Sequence, residues 1–369
     1  MHKKKRILLL GASGSIGNSS LKVLRRFEDS FELAGFSVHS NMKAAAKIQK
    51  EFPNAVFHST YTDISACVKQ LIEESRADIA VNGIAGSEGL KASAEVISAG
   101  LDLALANKES IVTAGELIFQ HARKTGTKII PVDSEHSAIF NLINVHGKQN
   151  IKKIIITASG GPFRNTPKNE LAHITLKEAL NHPTWKMGGK ITIDSASLAN
   201  KALEIIEAVK LFEMPYNKIE VTIHPQSIVH SMVQTINGEV YAQMSPPDMC
   251  NPILDALTFP ALSKSFLPPL DFSKIINLEF IPPRFDDFPM LKLGFEAAKK
   301  LASYPIAFNA ANEKAVEAFF AGKIGFTGLQ KVVEHVLSAD WAVKPASYNE
   351  VYAIEEKAKH AALTYIKGI

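Results

Sequence analysis

The sequence predicts an α/β fold in three parts: a doubly wound parallel sheet at the N-terminus, a central α+β domain and a C-terminal helical bundle. Three observations carry this. Residues 7–10 are a short apolar run that enters a glycine-spaced turn ahead of an amphipathic segment. Short apolar runs then alternate with helix-length segments as far as residue 132, the pattern of strands joined by crossover helices. From residue 290 onward the apolar residues recur only at helical spacing, as in a small bundle.

At 369 residues the chain is too long for one ordinary core and divides into two or three domains. Its composition is 46% hydrophobic and 21% charged with no long charge block, which argues against disorder and against a basic nucleic-acid arm. A net charge of +4 suits a small anionic ligand. Cys67 and Cys250 are far apart with no CxxC, so a reduced, cytoplasmic setting without a disulfide framework is expected. Basic residues precede an apolar run at the start, but that run is too short for a signal peptide and ends in glycine, so it reads as a strand. No stretch is long and apolar enough for a membrane span, and neither membrane nor nucleic acid is expected as a partner.

The first strand, 7–10, runs into Gly11-Ala-Ser-Gly14-Ser-Ile-Gly17. Glycines there let backbone N–H groups at a helix start face a pyrophosphate, which makes the first domain Rossmann-like, although GxxGxxG departs from the usual GxGxxG and by itself equally fits a packing turn. The second strand, 31–38, ends in His39-Ser40-Asn41 with Lys43 following, where an NAD enzyme carries an acid for the ribose 2′-hydroxyl. No acid repels a 2′-phosphate, so NADPH is the expected dinucleotide. Further strands at 55–57, 79–81 and 101–106 alternate with helices at 64–74 and 90–99, and Asn107-Lys108-Glu109-Ser110 follows the last of them. Ligand groups in such sheets lie beyond the carboxyl ends of strands, though a solvated helix cap would look the same. The strand 128–132 runs into Asp133-Ser134-Glu135-His136, and on an extended chain the two carboxylates share one side. With Glu204 they offer hard oxygen ligands and no thiolate, which favours Mg²⁺ or Mn²⁺ over zinc.

The strand 153–157 delivers Ser159 before a diglycine, Gly160-Gly161, where permissive backbone lets the hydroxyl meet an anion. Residues 160–190 are polar and proline-broken and close on His182-Pro-Thr-Trp185 and a second diglycine, so they form a candidate lid with Trp185 as its cover. A helix from about residue 197 places Leu198, Ala202, Ile205, Ile206, Val209 and Phe212 on one apolar stripe and Asn200, Lys201 and Glu204 opposite it. Taken alone, that second face is an ordinary solvated one. Strands at 220–223, 228–233 and 239–244 look antiparallel, the last two joined at Asn237-Gly238, with His224 and His230 as structural histidines. Residues 1–132 are thus the NADPH-binding domain, 133–258 the catalytic domain, 259–284 a proline-rich linker and 285–369 the helical domain.

Seven blocks in order, GASGSIG, NKES, VDSEH, ASGGPF, HPTWKMG, DSASLANKALE and HPQSIVHS, resemble the 1-deoxy-D-xylulose-5-phosphate reductoisomerase family, with the match running from Gly11 through the C-terminal bundle. The resemblance implies a V-shaped homodimer that rearranges 1-deoxy-D-xylulose 5-phosphate and reduces it with NADPH to 2-C-methyl-D-erythritol 4-phosphate, in non-mevalonate isoprenoid biosynthesis. By position it implies cofactor contacts at Ser13, Gly14, Ser15, Ile16, Asn41, Asn107, Glu109 and Gly188, with His39 and Ser40 beside them. It implies metal ligands at Asp133, Glu135 and Glu204, and substrate contacts at Lys108, Ser134, Ser159, His182, Trp185, Ser195, Asn200 and Lys201, with Met249 packing nearby. Lys108 and His182 join the three carboxylates as the catalytic set. Ala12 replaces a hydroxyl residue of the family's glycine loop, and His39-Ser40 stands where many members carry glycine and a basic residue. Another NADP-dependent sugar-phosphate or semialdehyde dehydrogenase would need no three-carboxylate metal site. A catalytically silent NADPH-binding regulator would be expected to lack a carboxylate or Trp185.

Overall fold

Residues 3–185 and 187–369 are described by the computed structural model. The N-terminal strands are β1 (Lys5–Leu10), β2 (Phe31–Val38), β3 (Val56–Ser59), β4 (Ile79–Asn82), β5 (Asp102–Leu105) and β6 (Ile129–Pro131), and the helices among them are α1 (Ser15–Arg26), α2 (Met42–Glu51), α3 (Ile64–Ser75), α4 (Gly89–Ser98), α5 (Lys108–Thr125) and α6 (Ser134–His146). Ile7 to Leu10 have no solvent exposure, as a central strand covered on both faces requires. The strand order is β3-β2-β1-β4-β5-β6 with every pair parallel. This order reverses between β1 and β4, the switch point where a doubly wound sheet takes its ligand. The helices start where side chains can satisfy orphan N–H groups: Asp63 caps α3 and Asn107 caps α5.

The remaining elements are β7 (Ile151–Ala158), α7 (Leu176–Ala179), α8 (Gly189–Ala196), α9 (Ala199–Leu211), β8 (Ile219–Ile223), β9 (Val229–Thr235), β10 (Val240–Met244), α10 (Cys250–Thr258), α11 (Met290–Lys300), α12 (Tyr304–Phe320), α13 (Gly328–Leu337) and α14 (Tyr348–Lys367). Contacts group the chain into two units. The first comprises residues through Ser110, Ile118–Ser137 and Asp248–Pro268, the second Ile111–Leu117, Ala138–Pro247 and Pro269–Ile369. In the first, α10 packs on α1, and Phe27 meets Phe266 edge-on at 5.9 Å. In the second, the sheet order is β10-β9-β7-β8.

Two local expectations change. β8 pairs parallel with β7, and it is β9 that lies antiparallel on β7, so β8 and β9 are not partners. β7 takes the place between them because Ile154 and Ile156 are wholly buried and hold the centre of the sheet. The β9–β10 hairpin at Asn237-Gly238 is antiparallel as expected. The second change is at Asp133, which is followed at once by α6, so Glu135 sits in a first helical turn and not on an extended chain. The Asp133 carboxylate accepts the Glu135 N–H at 3.2 Å and so starts the helix that the pattern alone did not reveal. No described helix is long and apolar enough to cross a membrane.

Candidate active site

In the first unit a cavity of about 800 Å³ opens at the glycine turn, lined there by Gly11, Ser13 and Gly14, and on its far side by His39 from the end of β2 and Thr60 and Tyr61 from the end of β3. The turn is built by contact: a Cβ on Gly17 would lie 2.4 Å from the backbone carbonyl of Ala12, so only glycine lets α1 start there. Ser15 opens α1, the Ile16 side chain meets Gly83, Ser40 is exposed and Asn41 caps α2 by accepting the Ala44 N–H at 3.1 Å. Thr60 and Tyr61 escaped the sequence reading because nothing in a four-residue strand marks its tip as facing the glycine turn. His39 and Tyr61 have ring centroids 5.3 Å apart, and Tyr61 is 68% exposed. Asn107 and Glu109 converge on the loop after β4: Asn107 Nδ2 donates to Gly86 O at 2.8 Å and to Glu109 Oε2 at 2.9 Å, and Glu109 Oε1 accepts the Gly86 N–H at 3.2 Å.

The same unit holds Lys108, Asp133, Ser134, Glu135 and His136. Lys108 Nζ lies 2.6 Å from Asp133 Oδ2, His136 Nδ1 lies 3.3 Å from Oδ1, and Ser134 Oγ donates to Glu135 Oε2 at 2.6 Å. Burial works against ionisation of Asp133, but the Lys108 ammonium, followed by His136, outweighs it and holds the carboxyl well below the usual carboxylate range. Met249 is half-buried in this unit, at the start of α10.

In the second unit Ser159, from the end of β7, and Ser195, on α8, meet across one imidazole: His182 Nε2 lies 3.1 Å from each hydroxyl oxygen. The other ring nitrogen accepts the backbone N–H groups of Thr184 at 3.1 Å and Trp185 at 2.9 Å. An atom that accepts two N–H bonds carries no proton, so the neutral ring keeps its proton on Nε2 and donates toward the serines. Burial first, and then the charge of Arg164, lowers the His182 pKa and favours this neutral form. Arg164 was missed in the sequence, where it is one basic residue in a polar segment. The Trp185 ring centroid is 6.3 Å from that of His230, whose Nε2 lies 2.9 Å from Ser245 Oγ. His224 is structural as expected, with Nδ1 2.8 Å from Glu279 O and Nε2 accepting from Ile228 and Val229 at 3.1 Å. Gly188 is the N-cap of α8, and Lys186 lies outside the described residues.

α9 carries Asn200, Lys201 and Glu204. Here the solvated-face alternative fails, because the side chains of Lys201 and Glu204 are 4% and 0% exposed. Asn200 Nδ2 donates to Glu204 Oε1 at 2.5 Å, and the Lys201 ammonium donates to Oε2. A carboxylate placed so deep requires this compensation.

A dinucleotide-type sheet, a lysine-paired carboxylate group and an anion-sized set of hydroxyls define an enzyme of the dinucleotide-dependent class acting on a small charged substrate. Family models described as 1-deoxy-D-xylulose 5-phosphate reductoisomerase match residues 7–115, and models of its C-terminal domain match residues 129–212 and 244–361. The chain therefore belongs to the 1-deoxy-D-xylulose 5-phosphate reductoisomerase family. It is 66% identical to the family member of Treponema denticola, over 98% of this chain and 97% of that one, and 48% identical to that of Treponema pallidum at the same coverage. Among solved structures it is similar to a DOX-P reductoisomerase in complex with NADPH, fosmidomycin and magnesium, with 34% identity, TM-score 0.90 and 98% coverage of both chains. The Zymomonas mobilis member in complex with NADPH aligns at 36% identity, TM-score 0.89 and full coverage of both.

Proposed function

We propose that this protein rearranges 1-deoxy-D-xylulose 5-phosphate and reduces the product with NADPH to 2-C-methyl-D-erythritol 4-phosphate, with Mg²⁺ or Mn²⁺ as the metal. Residues 1–132 would bind the dinucleotide, 133–258 carry the chemistry under a lid at about 160–190, 259–284 link, and 285–369 support the site. The observation that carries the reading is the pairing of carboxylates with buried lysines, Asp133 with Lys108 and Glu204 with Lys201. Hydride transfer alone needs no such groups, whereas Asp133, Glu135 and Glu204 are hard oxygen donors of the kind that Mg²⁺ or Mn²⁺ takes. When bound, the ion polarises a ketone and its neighbouring hydroxyl, and NADPH supplies the hydride.

The chain's own groups do the rest. His182 donates its Nε2 proton to the oxygens of Ser159 and Ser195, which turns both hydroxyl protons outward to a phosphate. Asn200 and Lys201 add an amide and a charge, and Lys108 and Ser134 flank the carboxylates that face the reacting carbons. Trp185 closes over the substrate and excludes water. The test is NADPH oxidation with 1-deoxy-D-xylulose 5-phosphate: turnover that vanishes with EDTA and returns with Mg²⁺ or Mn²⁺ supports the reading, and metal-independent turnover would favour a simple dehydrogenase.

Lys201→Met deletes a charge-assisted hydrogen bond to phosphate worth about 1.5–3 kcal/mol and also strips buried Glu204 of its compensating charge, so kcat/KM is expected to fall by at least roughly ten- to a hundredfold. An unchanged ratio in steady-state assays would remove Lys201 from the phosphate site. In the first unit, the adenine is expected to rest on the His39–Tyr61 pair, where stacking is worth about 1–3 kcal/mol. Tyr61→Ala should then raise KM for NADPH and NADH by the same factor, roughly five- to a hundredfold, while Lys43→Ala affects NADPH alone. A change confined to NADPH in Tyr61→Ala would show that Tyr61 reads the 2′-phosphate instead.

A homodimer in the cytoplasm completes the proposal. Phe272 and Ile275, 74% and 91% exposed in the proline-rich stretch, give the second unit apolar surface for another copy. Both cysteines are buried and free, as a reducing compartment allows.

A further inference from the structure

Ser195 belongs to α8, and contacts outside the serine–histidine cluster determine how that helix lies. On one side the turn after β7 closes on it. Gly161 has φ +66°, and a Cβ there would lie 2.8 Å from the carbonyl oxygen of Ser195. On the other side stands α12. Asp194, beside Ser195 and almost wholly buried, accepts the Nδ2–H of Asn312 at 2.7 Å and the Lys190 ammonium at 2.8 Å. Asn312 has no solvent exposure. Two turns along α12, the Phe320 ring packs against Gly189 at the start of α8, where a Cβ would come within 2.9 Å of it. Asp194 meets Asn312 while Gly189 meets Phe320, so α8 lies antiparallel along α12.

This pairing is chemically expensive for packing alone. A buried carboxylate is tolerated only when its lone pairs are met, and an apolar pair of similar volume would hold two helices together as well. Among the described residues the Asn312 Oδ1 has no hydrogen-bond partner, so the amide is oriented by the bond its Nδ2 makes to Asp194. The hydrogen bond is directional, and it adds a constraint on the rotation of α8 about its own axis to the close packing at Gly161 and Gly189. That rotation decides whether the Ser195 hydroxyl faces His182 Nε2.

We infer that Asn312 and Asp194 are positioning residues for Ser195, through which helix α12 sets the spacing of the two serine hydroxyls that take the substrate's phosphate. Neither residue touches substrate. The inference rests on the proposed phosphate role of Ser159 and Ser195.

The test compares Asn312→Ala, Asn312→Asp and the exchanged pair Asp194→Asn/Asn312→Asp with Ser195→Ala in the NADPH-saturated protein. The readouts are kcat and KM for 1-deoxy-D-xylulose 5-phosphate, and the Kd of inorganic phosphate as a probe. Asn312→Asp sets two carboxylates against each other and is expected to raise KM and the phosphate Kd about tenfold or more. kcat should stay within about threefold and the NADPH Kd should not move, because the chemistry and the dinucleotide turn are untouched. The exchanged pair keeps the hydrogen bond with donor and acceptor reversed and should recover most of the phosphate affinity. Should Asn312→Asp fail to fold, Asn312→Ala reads the same quantities without the added charge. Wild-type phosphate and substrate binding in the Asn312 variants, beside impaired binding in Ser195→Ala, would overturn the positioning role and leave the phosphate site standing. Unimpaired binding in Ser195→Ala would instead overturn the phosphate role itself. A fall in kcat with KM unchanged, or an exchanged pair no better than Asn312→Asp, would also overturn the inference.

Discussion

Glu204→Gln is expected to abolish turnover while NADPH still binds with close to wild-type affinity. Two effects act together. As one of three proposed metal ligands, Glu204 contributes charge that an amide cannot replace, and Lewis-acid stabilisation of several kcal/mol corresponds to about a thousandfold or more in rate. Glu204 also neutralises Lys201, and with both side chains all but inaccessible, the glutamine variant leaves a buried ammonium facing a neutral amide. The proposed dinucleotide contacts other than Gly188 lie in the first unit, and neither Glu204 nor Lys201 is among them. Single-turnover assays across a Mg²⁺ titration, with NADPH fluorescence as the binding control, check this. Activity within tenfold of wild type at modest Mg²⁺ would refute the three-carboxylate assignment.

The second large effect is expected at the glycine turn of the first unit. Gly17→Ala places a methyl group 2.4 Å from the backbone carbonyl of Ala12, and no rotamer change relieves a contact with main-chain atoms. α1 must move away from the turn, which pulls the N–H groups at the start of α1 out of line for a pyrophosphate. Overpacking costs about 1–3 kcal/mol in stability, and the NADPH Kd should rise at least about tenfold, measured by fluorescence titration. Ala12→Gly in the same chain should not rescue it, because the clash is with backbone and not with the Ala12 methyl. Rescue by Ala12→Gly, or an unchanged Kd in Gly17→Ala, would show that α1 adjusts without disturbing the turn.

Much of this architecture could be read directly from residue order. The apolar run at Ile7–Leu10, the turn that follows and the alternation after it were sufficient for the parallel sheet, because backbone hydrogen bonding and burial on both faces leave a periodic trace in the chain. The helical spacing beyond residue 290 anticipated α11 to α14 for the same reason. Chemical type was equally legible: carboxylates at 133, 135 and 204, serines at 159 and 195 and a histidine at 182 name hard ligands and hydroxyl donors wherever they are placed. Local pattern did not reveal partners. Periodicity put Lys201 and Glu204 on a polar face, whereas tertiary packing buries both side chains and converts a solvated pair into a compensated internal one. The tautomer of His182 is settled by two backbone N–H groups that reach it only when residues 182–185 turn back on the ring. Asp194 and Asn312, 118 positions apart, meet only through the packing of α8 on α12. Periodicity reports which side of an element is apolar, and distance along the chain carries no information about which buried polar groups must satisfy each other.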